Sequence, residues 1–177
     1  IGKTLIRHGN EKLKKEFLPQ VLDADIEFAV GYSEPEAGSD AANMQLRADK
    51  VDGGWMLNGQ KMWTTSAHFA EWYWVGARTD QDKPKHDGLS LFLVPMDHPG
   101  LEVQSLPTIG KDTTNQVFFD DVFVPDDYLV GQQGKGFQMI SEALDLERFT
   151  MFTLSPIANR SDVLVDWVKE ARRDDKP

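Results

Sequence analysis

Residues 31–40 read Gly-Tyr-Ser-Glu-Pro-Glu-Ala-Gly-Ser-Asp, a segment typical of a turn. Ser33, Ser39 and Asp40 can stabilise such a turn through side-chain to backbone hydrogen bonds, and Gly38 permits a close approach or a positive φ. Consecutive backbone amides in a turn of this kind form a concavity that suits an anion such as pyrophosphate. The residues of the segment are also those of an ordinary structural turn, so both interpretations stay open.

A second informative segment, residues 61–66, reads Lys-Met-Trp-Thr-Thr-Ser and is predicted to lie in a strand. Alternation along a strand places Trp63 and Thr65 on the same face. A flat indole beside a hydroxyl can receive a heteroaromatic ring with a polar edge. A tryptophan in a strand is more often part of a core, and this alternative also stays open.

The composition is that of a globular protein with a strong acidic excess. The 177 residues carry 19 Lys and Arg against 29 Asp and Glu, a formal charge of -10. This balance repels a phosphate backbone, and no basic patch offsets it, so we expect no nucleic-acid partner. The sequence has no apolar run long enough to cross a bilayer, and we expect no membrane span. It has no cysteine and its four histidines are widely spaced, so we predict no metal site.

The chain starts at Ile1 rather than Met, and no signal-peptide pattern follows. It therefore looks like a piece of a longer polypeptide. The lack of cysteine fits an intracellular protein. We expect a bacterial cytoplasmic location rather than a mitochondrial matrix.

The hydrophobic pattern changes twice along the chain. Residues 10–22 carry a helical stripe, in which Pro19 suggests a break or a kink. From Phe28 to Val130 the pattern is that of β-strands, with tight turns predicted at residues 52–54 and at Asn58-Gly59. The strand candidates are residues 44–51, 55–58, 72–78, 89–95, 101–106 and 116–124.

The pattern becomes helical again after residue 134, with Phe137, Ile140 and Leu144 on one face. Pro156 interrupts it, and a second helix is predicted to start near Ser161-Asp162, whose side chains suit an N-cap. The predicted fold class is therefore mixed α and β in separate segments. A small antiparallel β-barrel or sandwich domain is flanked by helices.

Four motifs, in order, resemble the acyl-CoA dehydrogenase family. They are Gly31–Asp40, Leu57–Thr65, Phe118–Pro125 and Gly131–Phe137, and the similarity runs from about Leu5 to Arg148. The resemblance implies the end of a helical N-terminal domain at residues 1–29 and a β middle domain at residues 30–134. The start of a truncated helical C-terminal domain follows at residues 135–177.

The family resemblance implies FAD as the cofactor. The residues that match its flavin-binding positions are Tyr32, Ser33, Gly38, Ser39, Trp63, Thr64 and Thr65. Trp63 would lie against the isoalloxazine, and Thr65 would hydrogen-bond near N5. Tyr32 replaces the usual aliphatic residue, and Asn43 replaces a small one. The implied substrate contacts are Ser39, Asp145 and Arg148.

Residues 144–148 read Leu-Asp-Leu-Glu-Arg on the predicted helix. By the helix pattern alone, Glu147 and Arg148 are solvated surface charges. Most family members place the catalytic carboxylate further downstream, but the isovaleryl-CoA and long-chain branches place it on this helix. The resemblance therefore implies Glu147 as the catalytic base.

The implied reaction is the α,β-dehydrogenation of an acyl-CoA thioester. The base removes the α-proton, a hydride passes from Cβ to flavin N5, and electrons leave to an electron-transfer flavoprotein. The full-length enzyme is expected to be a homo-oligomer, either a dimer or a tetramer. Two alternatives stay open: an acyl-CoA oxidase-like flavoprotein, and a non-catalytic subunit of a heteromeric acyl-CoA dehydrogenase.

Overall fold

The computed structural model describes residues 1–110, 113–151 and 154–171, with the backbone alone for residues 147–151 and 154–158. The helices are α1 (Gly2–His8), α2 (Glu11–Asp23), α3 (Gly136–Met151) and α4 (Leu154–Glu170). The strands are β1 (Phe28–Gly31), β2 (Arg47–Val51), β3 (Gly54–Thr65), β4 (Trp72–Arg78), β5 (Leu89–Pro95), β6 (Leu101–Pro107), β7 (Thr113–Pro125) and β8 (Leu129–Val130).

Helix α2 has a defined start and a buried face. The side chain of Asn10 accepts the Leu13 N–H at 2.9 Å, which satisfies one of the free donors of the first turn. Leu13 and Phe17 are buried, and the Phe17 ring packs edge-on against Trp72. Of the break or kink predicted at Pro19, the break is wrong, since the helix continues to Asp23, and the kink stays a prediction. Proline removes a single intrahelical donor, and the cap and the buried face hold the helix despite that loss.

The described strands form an eight-stranded sheet in the order β6-β7-β3-β2-β4-β5-β8, with β1 beside β4. Most neighbours are antiparallel, while β1 and β2 pair with β4 in parallel. The sheet is open, and β6 and β8 lie at its ends.

The sheet folds over a hydrophobic core, because residues of β3 and β7 pack against residues of β4 and β5. Trp55 meets Phe92 edge-on at 5.6 Å between ring centroids, and Tyr73 stacks on Phe119 at 5.7 Å. Strands β4 and β5 have the predicted bounds. The predicted class, a small β domain with flanking helices, is confirmed.

The tight turn predicted at Asn58-Gly59 is wrong, because β3 runs through both residues to Thr65. Asn58 bonds across the sheet instead, through two hydrogen bonds with Asp121. Gly59 has a φ of +138° at a register shift between β3 and β7, and a Cβ there would lie 3.1 Å from Leu46 Cδ1. Across this register shift β3 advances two residues and β7 advances three, so the bulge is in β7 and Gly59 lies opposite it.

Strand β5 positions the start of α3. The Gly134 N–H donates to Ser90 Oγ at 2.9 Å, and a Cβ at Gly136 would lie 2.7 Å from the Ser90 Cα. Only a glycine permits this approach of helix to strand. Met139 and Ile140, in the first turns of α3, are buried.

The N-cap predicted at Ser161-Asp162 is also wrong, since both residues lie inside α4. Pro156 occupies the first turn of this helix, where its missing N–H costs no hydrogen bond. By backbone contacts the chain divides into Ile1–Ser141 and Glu142–Pro177. The predicted domain limits near residues 29 and 134 stay predictions.

Candidate functional site

A buried ion pair attaches the turn at residues 31–40 to β3. Lys61 Nζ donates to Glu34 Oε1 at 2.7 Å, and the lysine is fully buried while the glutamate is nearly so. The same oxygen accepts the Leu46 N–H at 2.9 Å, and Oε2 accepts the Gln45 N–H. These two amides are therefore unavailable to β3, which is why β2 begins at Arg47 rather than at the predicted position 44.

Burial governs the protonation of the groups around Glu34. Desolvation lowers the pKa of Lys61 from 10.5 to about 8, although the Glu34 carboxylate acts in the opposite direction. Partial burial lowers the pKa of Arg78, again against the attraction of Glu34, and burial raises the pKa of Tyr73. The lysine charge is thus held in an apolar environment by a single carboxylate.

A β-bulge follows Lys61 and exposes Trp63. The register between β3 and β7 shifts between Lys61 and Thr64, and the Met62 N–H donates to the Ser33 carbonyl at 2.9 Å. Trp63 has a φ of +62° and its side chain is 60% exposed. The bulge therefore lies where the turn at residues 31–40 meets the segment at residues 61–66. The Trp63 indole is exposed beside this contact.

The two threonines after Trp63 point in opposite directions. Thr65 is exposed like Trp63, as strand alternation predicts. Thr64 is fully buried, and its hydroxyl lies 2.7 Å from the Tyr73 hydroxyl. The Thr64 side chain therefore serves the core, so the prediction that this residue contacts a cofactor can apply only to its backbone.

Asn115 of β7 supports the end of β3 and was not singled out in the sequence. Its Nδ2 donates to the Thr64 carbonyl at 2.9 Å and lies 3.1 Å from His68 Nδ1. A groove of about 820 Å³ lies beside His68 and is lined also by Phe69, Trp72 and Met96. None of the predicted cofactor residues lines this groove, so it is distinct from the predicted site.

The turn itself leaves its backbone accessible. Tyr32 anchors its start, because the Tyr32 hydroxyl accepts the Trp74 Nε1–H at 2.8 Å. Gly38 and Ser39 are exposed, and no described heavy atom lies within 4 Å of an added Cβ at Gly38. The φ of Gly38 is not positive. A glycine at this position would therefore help the site by letting a ligand approach the backbone closely, and not by adopting an unusual backbone conformation. Asn43 donates to the Glu36 carbonyl at 3.2 Å and closes the turn.

The other predicted site residues lie on α3. Asp145 is exposed, whereas the side chains of Glu147 and Arg148 fall outside the part of the chain that the structure describes. Their predicted roles stay predictions. Over the described residues, no group of three His, Cys, Asp or Glu side chains is placed to hold a metal ion. Over the same residues, no helix has the length and apolar character needed to cross a membrane.

The arrangement fits the flavin that the sequence resemblance implies. An exposed indole, the Thr65 hydroxyl and an open glycine backbone lie on two segments held together by the Ser33–Met62 and Glu34–Lys61 contacts. A flat heteroaromatic ring with polar edges needs an aromatic surface and a few fixed donors. The sequence indicated the indole, the hydroxyl and the glycine, but not the buried ion pair of Glu34 and Lys61.

The Lys61→Met substitution should change the pH dependence of stability. Between pH 8 and 10.5 native Lys61 has lost its proton while the unfolded lysine keeps it, so the unfolded chain binds more protons. Stability then rises with pH through this window, by about 1.4 kcal/mol per pH unit for a whole proton. Urea unfolding of wild type and Lys61→Met from pH 7 to 10.5 checks this. Above pH 8 the free energy of unfolding of wild type should rise relative to that of Lys61→Met. Parallel curves for the two proteins would contradict a lowered pKa for Lys61.

Comparison with known proteins identifies the family of the chain. The family description "Acyl-CoA dehydrogenase, middle domain" matches residues 29–122. Acyl-CoA dehydrogenase FadE34 of Mycobacterium tuberculosis is 40% identical over 163 residues, which are 92% of this chain and 23% of that protein. Acyl-CoA dehydrogenase IpdE1 of Mycolicibacterium smegmatis is 41% identical over 159 residues, 84% of this chain and 41% of that protein. The chain thus spans less than half the length of these relatives.

Solved structures share the fold. The Tcur3481-Tcur3483 steroid ACAD superposes with a TM-score of 0.89 at 34% identity, over 96% of this chain and 44% of that one. The ChsE4-ChsE5 complex from Mycobacterium tuberculosis gives 0.77 at 33% identity, over 81% and 37%. The FAD complex of PigA gives 0.74 at 31% identity, over 80% and 37%. With its middle-domain sequence and its fold both matched, this chain belongs to the acyl-CoA dehydrogenase family of oxidoreductases.

Proposed function

We propose that this chain carries the FAD-binding surface of an acyl-CoA dehydrogenase. The observation that carries the proposal is the junction of the turn with the β3 bulge. The Met62 N–H donates to the Ser33 carbonyl at 2.9 Å, and next to this bond Trp63 is 60% exposed. A tryptophan that only filled the core would be buried.

The residues of this surface have separate tasks. Trp63 offers a flat apolar face to the isoalloxazine, and the Thr65 hydroxyl and the Ser33 backbone and hydroxyl offer polar contacts to its edge. Gly38 and Ser39 allow the cofactor and the thioester to approach the backbone of the turn. Bound FAD supplies the acceptor for the hydride that leaves Cβ of the acyl group.

The proton of Cα requires a base, and we assign this role to Glu147. Glu147 lies on α3, within the Leu-Asp-Leu-Glu-Arg segment that resembles the family branches whose catalytic carboxylate is on this helix. A carboxylate is a suitable general base for a carbon acid whose carbonyl is polarised by hydrogen bonds. Asp145 and Arg148 are assigned to substrate contacts. A branched or bulky acyl group is supported by the Leu-Asp-Leu-Glu-Arg segment and by the similarity of the fold to the Tcur3481-Tcur3483 steroid ACAD.

The partners follow from the proposed reaction. The substrate is an acyl-CoA, and the reduced flavin passes its electrons to an electron-transfer flavoprotein. The full-length enzyme is proposed to be a dimer or tetramer of identical chains. A bacterial cytoplasmic location is supported by the bacterial relatives.

A second candidate is a subunit of a heteromeric acyl-CoA dehydrogenase. It is favoured by one observation, that the similar solved structures include a complex of two differently named chains, ChsE4 and ChsE5. A non-catalytic subunit would support the flavin of its partner and would not need its own base. One FAD for every polypeptide of the purified enzyme favours the first proposal, and one FAD for every pair of unlike chains favours the second. An acyl-CoA oxidase-like enzyme would differ in rapid reoxidation of its flavin by oxygen.

Replacing Trp63 by leucine should weaken FAD binding without unfolding the protein. Trp63 and Phe69 are exposed to similar extents, 60% and 58%, so Phe69→Leu is a matched control. Losing an aromatic contact should raise the Kd of FAD about three- to tenfold in Trp63→Leu. The control should bind FAD like wild type. Fluorescence titration with FAD and thermal unfolding measure both effects, and equal affinities in the two variants would contradict the assignment of Trp63.

Replacing Glu147 by glutamine in the full-length protein should remove the general base. We expect kcat to fall by about two to four orders of magnitude while FAD content is unchanged. Glu170→Gln, the same change at the end of α4, is the control and should keep wild-type turnover. If Glu147→Gln with normal FAD content turns over acyl-CoA at nearly the wild-type rate, Glu147 is not the base.

A further inference from the structure

Lys61 is a buried lysine to which the proposed reaction gives no chemical step. Its ammonium lies 2.7 Å from Glu34 Oε1 and 3.7 Å from the Met44 sulfur, and the side chain has no exposed surface. A lysine is rarely buried completely unless it is paired. Since Lys61 cannot reach a cofactor or substrate at the surface, any effect on the site must act through other residues.

Glu34 connects three separate segments through one carboxylate. Besides Lys61 of β3, it accepts the N–H groups of Gln45 and Leu46, which precede β2. Its own backbone exchanges two hydrogen bonds with Ala37, at 2.9 and 3.1 Å, which closes the turn. A carboxylate bonded in this way determines where the turn lies relative to both strands.

The Trp63 bulge needs contacts on both sides to persist. A φ of +62° is uncommon for a residue other than glycine and is kept only where the surroundings impose it. After Trp63, the buried Thr64 hydroxyl contacts Tyr73 at 2.7 Å. Before Trp63, the corresponding contact is the ion pair of Lys61 with Glu34. Met62, between Lys61 and Trp63 in the chain, donates its N–H to the Ser33 carbonyl.

We propose that Lys61 and Glu34 are a positioning pair, whose contact holds the turn at residues 31–40 against the Trp63 bulge and thereby sets the affinity of the site for FAD. The proposal rests on the proposed function, because it requires that FAD bind at this surface. A merely structural pair would lower stability when broken, like any core residue, and would weaken FAD binding no more than an equally destabilising change elsewhere. The two roles therefore differ in a measurable way.

Lys61→Met tests the pair in the full-length protein, because it keeps an unbranched side chain of similar length and removes the ammonium. Val94→Ala is the control, since Val94 is fully buried on β5 and belongs neither to the turn nor to the ion pair. Glu34→Gln, which keeps the shape of the side chain, takes the place of Lys61→Met if that variant does not fold. All variants are compared at temperatures equally far below their own Tm.

Two measurements are made on each variant. Hydrogen-exchange mass spectrometry of the flavin-free protein follows peptides that contain Gln45, Leu46 and Met62, whose amides depend on the turn. Fluorescence titration gives the Kd of FAD. We expect Lys61→Met to exchange these amides faster than Val94→Ala. We also expect it to raise the Kd of FAD by about three- to tenfold more than Val94→Ala does, because the displaced bulge would lose the aromatic contact of Trp63.

Unchanged exchange at these amides would overturn the proposal, because the pair would not hold the turn. Faster exchange with the same Kd as Val94→Ala would also overturn it, because the turn would then not set the affinity. Failure of the proposed function looks different. In that case wild type itself does not bind FAD, whereas the exchange result still shows whether the pair positions the turn.

Discussion

The contact between the Lys61 ammonium and the Glu34 carboxylate is the constraint on which the candidate site depends. Removing two charges from water costs several kcal/mol each, and only close geometry with further hydrogen bonds offsets that cost. Here the lysine lies 2.7 Å from the carboxylate, which also accepts two backbone amides. The pair therefore fixes the start of β2, the path of the turn and the course of β3. Trp63 and Thr65 are exposed at the surface because these three segments meet beneath them.

Much of the fold could be predicted from the sequence, because its strands alternate or form short apolar runs between turn residues. The bounds of β4 and β5 agree with the prediction for this reason. The errors occur where a distant contact decides between local alternatives. Asn58-Gly59 has the composition of a tight turn, but Asn58 bonds to Asp121, which is 63 residues away. Ser161 suits a helix cap, yet α4 begins at Leu154, since Pro156 fits a first turn as well as it ends a helix.

The candidate site was predictable only in part. The motifs identified the turn and the exposed face of Trp63 and Thr65, while Thr64 proved to face the core. Neither the β-bulge nor the buried pair was foreseen, because a lysine in a strand is normally expected on the solvent side. The sequence did hold a signal for the burial of Lys61. This lysine is separated from the buried Trp55 and Leu57 by even numbers of residues, which places all three on the same face of a strand. Asn115 lacks even that signal, because its partners come from β3 and from the following loop.

The central claim is that this chain carries the flavin surface of an acyl-CoA dehydrogenase. A visible absorption spectrum of the purified full-length protein tests it most directly, recorded before and after anaerobic addition of branched short-chain and steroid-derived acyl-CoA thioesters. The account predicts a flavin band of one FAD per chain that one of these thioesters bleaches. A protein that shows no flavin band, even after reconstitution with FAD, would contradict it.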